Sequence, residues 1–460
     1  MITKLLHQLW NERKQNAWLF LELIVASLFL WFALDPLYTL ICRRYIPSGF
    51  DATDTYMVEF AQYRPGDTKY KVDPELFNNS AIRECFTQAI NIIRSMPEVE
   101  YHTTAEYGAM ANTYSYISKT FTTDSIDYAL QKRSFDEWLE YLKNKKQVSI
   151  SYWRYIQTEG SNYPATFGIR DIHTGDYLKN DIAQYPNGVF LSESAAMQLF
   201  GTTEAKGKEF RYVYKDKLLR VAGVFKDIQM EQYDEPSPLM IMSIEADDDM
   251  YANSHNGTTV FLHIRLKKGV DKDDFEKRFR EEIMPKLEIG NVYCSNITLH
   301  DNIRKKYSRR FGIDNMYRLY VGLSSFALFC AFLGLLSSFW IRTAERRADI
   351  GVMRSIGASR SKIVSQFACE ALLLATLAFF VAMPFVMHYL HVEGFADPIK
   401  KLSLFNKESS NPAYLHNQPL THFATVTIVG YLFVAVVAVI GAVIPAWRAT
   451  RIEPADALRE

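Results

Sequence analysis

RTAERRADIGVMRSIGASRSKIVSQF (342–367) is the stretch on which the reading of this chain turns. It lies between two apolar runs, each long enough to cross a bilayer, for which roughly 20 mostly apolar residues suffice. Up to position 362 it carries six basic residues (Arg342, Arg346, Arg347, Arg354, Arg360, Lys362) against two acidic ones (Glu345, Asp349). Positive charge concentrated in a short loop between spans marks the cytoplasmic side. The spacing predicts a short helix over 343–356, ended by Gly357 in the left-handed conformation. Ser359 or Ser361 then caps a following helix that continues into the membrane. Ile350, Met353 and Gly357 fall on one face of the short helix, and Arg347 and Arg354 on another.

Working outward, the chain divides into an amphipathic helix (1–16), a first span (17–42), a large domain (43–316), a second span (317–341), the basic loop (342–362), a third span (363–390), a short loop (391–422), a fourth span (423–445) and a tail (446–460). Bulk composition hides this pattern. Lysine plus arginine number 52, as do aspartate plus glutamate, and the polar domain dilutes the apolar runs. The expected fold is an integral membrane protein with four transmembrane α-helices and a large α+β extracytoplasmic domain, two-lobed with mixed strands and helices, inserted between the first and second spans. Basic residues at the N-terminal flank (Lys4, Arg13, Lys14) and in the tail (Arg448, Arg451, Arg459) put both termini in the cytoplasm. The loop 391–422 has balanced charge and lies outside. Arg43 and Arg44 oppose the rule, but they precede a long domain, where the rule loses force. The first span is too long for an ordinary signal core and shows no small-x-small cleavage site, so it reads as an uncleaved anchor.

Ile2, Leu5, Leu6, Leu9 and Trp10 form one apolar stripe on the N-terminal helix, suited to a lipid surface or to a partner. Within the large domain, 55–63, 259–266 and the pair in 211–225 (turning at Lys215-Asp216) read as strands; 80–96, 134–145 and 271–287 read as helices. The segment 301–319 reads as a helix running on into the second span, with Gly312 as the objection. Two glutamates sit inside spans, Glu22 and Glu370, and Asp35 blemishes the first. Ionisable groups there are costly; Glu22 and Glu370 lie close enough to the cytoplasmic boundary to reach water or to pair with nearby arginines. His388 and His391 have ligand-like spacing but no third partner, so no metal site is expected. Of five cysteines only Cys85 and Cys294 fall in the large domain, where an oxidising compartment permits, without requiring, a disulfide. Nothing in the chain suggests nucleic-acid binding.

Three stretches together resemble the MacB/FtsX-type permeases of ABC transporters: the basic loop itself; PNGVFLSESAAMQLFG (186–201) followed by LLRVAGVFKD (218–227), which is similar to the MacB-like periplasmic core; and IPAWRATRIEPADALRE (444–460), similar to the family's C-terminal ending. Asp349 departs from the family, which usually has glutamate there; Glu370 matches a position where it often has one. The nearest string to a phosphate-cradling loop, GTTEAKGKE (201–209), has five residues between its glycines and Glu209 after the lysine, where four and a Ser/Thr are needed.

The resemblance implies a non-catalytic permease subunit of the inner (plasma) membrane, working as a homodimer or as a heterodimer with a similar permease. ATP and Mg would be bound by a separate ABC ATPase, and mechanotransmission would carry its motion to the domain outside. The residues implied for ATPase coupling are Arg346, Arg347, Asp349, Ile350, Gly351, Met353, Arg354, Gly357 and Ala358, with exposed Ile and Met seating in a groove on the ATPase. Peptides, lipoproteins, small toxic molecules and cell-wall machinery are the implied objects of the work. Two rivals stay open: a membrane-anchored ligand sensor, and an enzyme on an anchor.

Overall fold

The computed structural model describes residues 13–72, 79–106, 110–111, 117–230, 233–244, 260–398, 411–412 and 414–451; the side chains of 13–16, 79–80, 260 and 347 are outside that description. The N-terminal stripe (2–10) and the ALRE ending therefore lie outside it. Helices of seven residues or more are α1 (Arg13–Arg44), α2 (Asn79–Arg94), α3 (Phe135–Lys143), α4 (Glu193–Phe200), α5 (Lys272–Arg278), α6 (His300–Phe311), α7 (Ile313–Glu345), α8 (Arg347–Ser355), α9 (Arg360–Glu393) and α10 (Pro419–Ala449). Two compact units result. Among the described residues, one holds 13–42, 314–398 and 418–451, and the other holds those within 43–313 together with 411–412 and 414–417.

In the first unit α1, α7, α9 and α10 are each long and apolar enough to cross a membrane. Small residues let α9 and α10 approach closely, as membrane helices favour. Ala371, Ala375, Ala378 and Ala382 on α9 and Ala438 and Ala442 on α10 are all buried. Gly441 is required by α7: a Cβ there would stand 2.9 Å from Phe339 Cβ. The fourth helix does not stop at 445 but continues through Pro445 to Ala449. The long rod expected from 301 into the second span (317–341) is broken. Gly312, at φ +66°, caps α6 in the left-handed region, and α7 begins afresh at Ile313.

The second unit is built on one ten-stranded sheet, ordered β10-β1-β9-β2-β4-β3-β6-β7-β5-β8. Its strands are β1 (Thr55–Gln62), β2 (Val99–Glu106), β3 (Ile117–Thr122), β4 (Val148–Ile156), β5 (Gly188–Ser192), β6 (Glu209–Tyr212), β7 (Leu218–Phe225), β8 (Leu239–Ile244), β9 (Val260–Leu266) and β10 (Val292–Leu299). On β1 the alternation Tyr56, Val58, Phe60 faces a core with Phe86 and Ile90 of α2 and Phe275 of α5. Cys85 and Cys294 share that core as free thiols. The helix expected over 271–287 changes pitch, to a wide turn at Phe279–Ile283 and a tight one at Met284–Leu287, where Pro285 cannot donate.

The other lobe closes on itself. β4 pairs in parallel with β8 (Ser151↔Leu239 to Ile156↔Ile244), so six strands, β4-β3-β6-β7-β5-β8, form a small barrel. Phe121, Ile150, Leu191, Phe210, Val221 and Met240 fill its interior, and Ala195, Ala196 and Leu199 of α4 plug one end. Ser192 caps α4 by accepting from Ala195 N. Asp227 anchors the same helix start, accepting from Ser194 N (2.8 Å) and Ser194 Oγ (2.5 Å). Tyr414, from the short loop, also donates to Asp227 Oδ2, at 3.0 Å. Burial and that carboxylate hold the Tyr414 phenol far above its ordinary range.

Between the two lobes lie two buried histidines. Phe167 packs against both His263 and His300 (ring centroids 5.1 and 6.2 Å). Burial pushes His263 down to about 3, aided by its neighbour's charge, and His300 down to about 4. Both rings are therefore neutral in the folded domain at pH 5, whereas an unfolded chain protonates them below about 6.5. Proton uptake thus favours unfolding. The stability is fully present above pH 6.5 and declines as pH falls toward 4, by about 1.4 kcal/mol per pH unit for each ring. Thermal unfolding followed against pH checks this: the wild-type midpoint falls across that window, and a His263→Phe, His300→Phe variant shows a flatter profile.

Candidate functional site

The basic stretch folds as a hairpin fixed to the ends of three helices. Arg346 leaves the helical conformation (φ −93°, ψ 18°) and heads α8. Its guanidinium turns back, donating from Nη1 to Glu370 Oε2 at 2.7 Å and lying over the Phe367 ring at 4.9 Å. Arg342, one turn earlier on α7, donates from Nη2 to Glu370 Oε1 at 2.5 Å. Glu370 is only 4% exposed. Each of its oxygens thus receives a charge-assisted bond, the condition under which a buried carboxylate is tolerable.

Beyond this clamp α8 lies on the bases of α9 and α10. Ile350 is 1% exposed, among Ile363, Phe367, Ala446 and Ala449, with Met353 and Ala358 packed alongside. Gly351 is buried behind it. The helix ends in a paired motif: Gly357 N donates to Arg354 O and Ala358 N to Met353 O, both at 3.0 Å. Gly357 takes φ +90°, and the Met353–Ala358 contact is the apolar pair that accompanies such an ending. Arg354 Nη1 donates to Thr450 O at 3.0 Å, placing a cation at the C-terminal end of α10. Ser359, rather than Ser361, caps α9, accepting from Lys362 N.

This arrangement agrees with what the chain is similar to. The sequence profile of the FtsX-like permease C-terminal region matches residues 321–454, and that of the MacB-like periplasmic core domain matches 43–282. The chain belongs to the MacB/FtsX-type ABC transporter permeases. An ABC transporter permease of Methanocaldococcus jannaschii is 25% identical to this permease over 233 residues, 51% of this chain and 54% of that one. The macrolide export ATP-binding/permease protein MacB of Neisseria gonorrhoeae is 22% identical over 219 residues, 47% of this chain and 32% of MacB. The permease thus spans about half the length of the first relative and a third of the second. Among solved structures, the periplasmic region of MacB from Actinobacillus actinomycetemcomitans aligns at 14% identity over 56% of this chain and 94% of that one, with a TM-score of 0.30. A permease domain from Porphyromonas gingivalis aligns at 15% identity over 55% and 92%, also at 0.30.

The hairpin of the permease departs from the sequence reading in one respect. The Ile350–Met353–Gly357 face does not stand free: Ile350 is buried and Met353 half-buried against the chain's own helices. The exposed face is the opposite one, Ala348, Asp349, Val352, Ser355 and Ile356, with Val352 46% and Ile356 81% exposed. The described basic residues divide by partner. Arg342 and Arg346 serve Glu370 and Arg354 serves Thr450, whereas Arg360 and Lys362 stand exposed. Arg347 opens α8, and its side chain lies outside the described residues.

The other intramembrane glutamate takes a hydroxyl instead of an arginine: Ser338 Oγ of α7 donates to Glu22 Oε2 at 2.6 Å. Sequence reasoning passed over a second buried polar tie in the permease. Asp35 of α1 and His422 of α10, both about 1–2% exposed, approach to 2.8 Å, and Ala396 N donates to the second carboxylate oxygen. Phe395 stacks on the His422 ring at 4.1 Å. The signal was an aspartate inside an apolar run; its partner, 387 positions away, was not legible.

Removing one member of a buried ion cluster strands the others, at a cost of about 3–5 kcal/mol, whereas replacing the whole cluster with apolar groups can be neutral. Glu370→Ala is therefore expected to lower the thermal midpoint of the purified permease markedly. The triple variant Glu370→Leu, Arg342→Met, Arg346→Met is expected to recover most of the loss. Scanning fluorimetry on the three proteins checks the order.

Proposed function

We propose that this permease passes the ATP-driven motion of a separate ATPase subunit, which binds ATP and Mg, through the hairpin to its spans and on to the large domain. In this reading the hairpin and both termini are cytoplasmic, the spans cross the plasma (inner) membrane, and two permease subunits act together. The work is done outside, on peptides, lipoproteins, small toxic molecules or cell-wall machinery. The observation that carries the reading is the exposed Val352–Ile356 edge on a helix whose other face is locked to the spans. An apolar edge of that kind suits a groove on a partner, and the clamp and the Ile350 seat turn a push on it into movement of α9 and α10. The family supports a nucleotide-hydrolysing partner, since its members are permeases of ATP-driven transporters.

The test is reconstitution with candidate ABC ATPases in nanodiscs, measuring co-purification and ATPase rate. Val352→Glu with Ile356→Glu alters only exposed positions, so the thermal midpoint should hold. At least a ten-fold loss of co-purification or of permease-dependent ATPase rate is expected. If the variant couples as well as the unmodified chain, or if no ATPase associates with either, the hairpin is a lipid-facing surface and the proposal fails.

A further inference from the structure

The barrel of the large domain is plugged at one end by α4 and open at the other. A cavity of about 180 Å³ occupies the open end. Its floor is apolar: Phe121, Leu219 and Met240 are each no more than 2% exposed, and Tyr152 is 7% exposed. Its rim is basic. Lys119, Lys215, Lys217 and Arg154 all line it, and among the described residues no carboxylate does. Arg154 is matched by Glu106, Nε to Oε2 at 2.5 Å. Among the described residues the three lysines have no ion-pair partner, and Lys119 Nζ is held across the mouth by two rings, 4.9 Å from Tyr152 and 5.1 Å from Tyr212.

This placement follows from the strand register. Lys119, Tyr152 and Arg154, Tyr212, Lys217 and Met242 carry the inward parity of β3, β4, β6, the β6–β7 turn and β8. Those strands therefore deliver basic groups to the mouth at the level where the interior stops being filled. Barrel mouths with an apolar wall and a few convergent polar groups are common ligand sites. Ammonium groups beside a low-dielectric floor favour an anion there over a neutral molecule or a cation. A cavity of roughly 150 Å³ admits a benzene ring, so the apolar body that fits is ring-sized or a short chain.

We infer that the barrel mouth of the large domain is a binding site for a carboxylate borne on a ring-sized or short-chain apolar body. Such a group comes either as a free small acid or as the C-terminal residue of a peptide. The inference is independent of the ATPase reading, and its test needs no ATPase.

The full chain in nanodiscs is titrated with 3-phenylpropionate, 3-phenylpropanol and 3-phenylpropylamine by isothermal calorimetry, with ligand-observed NMR as a second readout. The acid is expected to bind at least ten-fold tighter than the alcohol, with no measurable binding of the amine. Its affinity should weaken on raising salt from 50 to 500 mM, as rim charges are screened. Lys119→Gln with Lys217→Gln should reduce its affinity at least ten-fold at an unchanged thermal midpoint. The salt series on the unmodified chain decides the matter if that variant proves unstable. Octanoate and a tripeptide ending in phenylalanine then distinguish the two sources, the tighter binder naming the class. Absence of acid binding, equal binding of the three probes, or a folded double variant with unchanged affinity overturns the site.

Discussion

The hairpin depends on one carboxylate. Glu370 sits inside an apolar helix, where an unpaired charge would be expelled or neutralised. It is retained because Arg342 and Arg346 bring a guanidinium to each of its oxygens. That requirement fixes where α7 must end, since both arginines must reach the same point on α9. It also turns the chain at Arg346, from which α8 sets out with Ile350 against α9 and α10. The Gly357 ending and the Ser359 cap then return the chain to α9. Polar pairing sets the position of the hairpin, and apolar packing sets its face.

The consequence for function is mechanical. A helix bound at its start by an ion cluster, along its length by Ile350, and near its end by Arg354 on the terminus of α10 has little freedom to move alone. A force applied to its exposed edge is delivered to α7, α9 and α10 together. In the proposed coupling, Val352 and Ile356 on that edge are where an ATPase would press.

Much of this was legible in the chain. The four spans follow from runs of apolar residues, and the family from the hairpin, the core segment and the C-terminal ending. The glycine stop of the hairpin helix was also readable, because Gly357 is a local signal. The start expected at 343 was not: α7 runs on to Glu345 and α8 begins only after the break at Arg346. Periodicity identified that Ile350, Met353 and Gly357 share a face, but it holds no information on what that face meets. The chain's own α9 and α10 proved to be the neighbours, so the exposed edge is the other one. The same limit hid the Asp35–His422 tie and the closure of the barrel by β4 and β8, both made between residues far apart in sequence. Of the rim lysines, Lys119 lies far in the sequence from Lys215 and Lys217, and only strand register gathers them.

The central claim is that the hairpin and the spans move as one body because Glu370 holds them. It is tested by the distance distribution between nitroxides at Ala348→Cys on α8 and Thr421→Cys on α10, with the native cysteines replaced and the permease in nanodiscs, measured by pulsed electron spin resonance. A single narrow distribution is predicted, broadened when Glu370→Ala is introduced. A broad distribution in the parent, or an equally narrow one without the glutamate, would contradict the account.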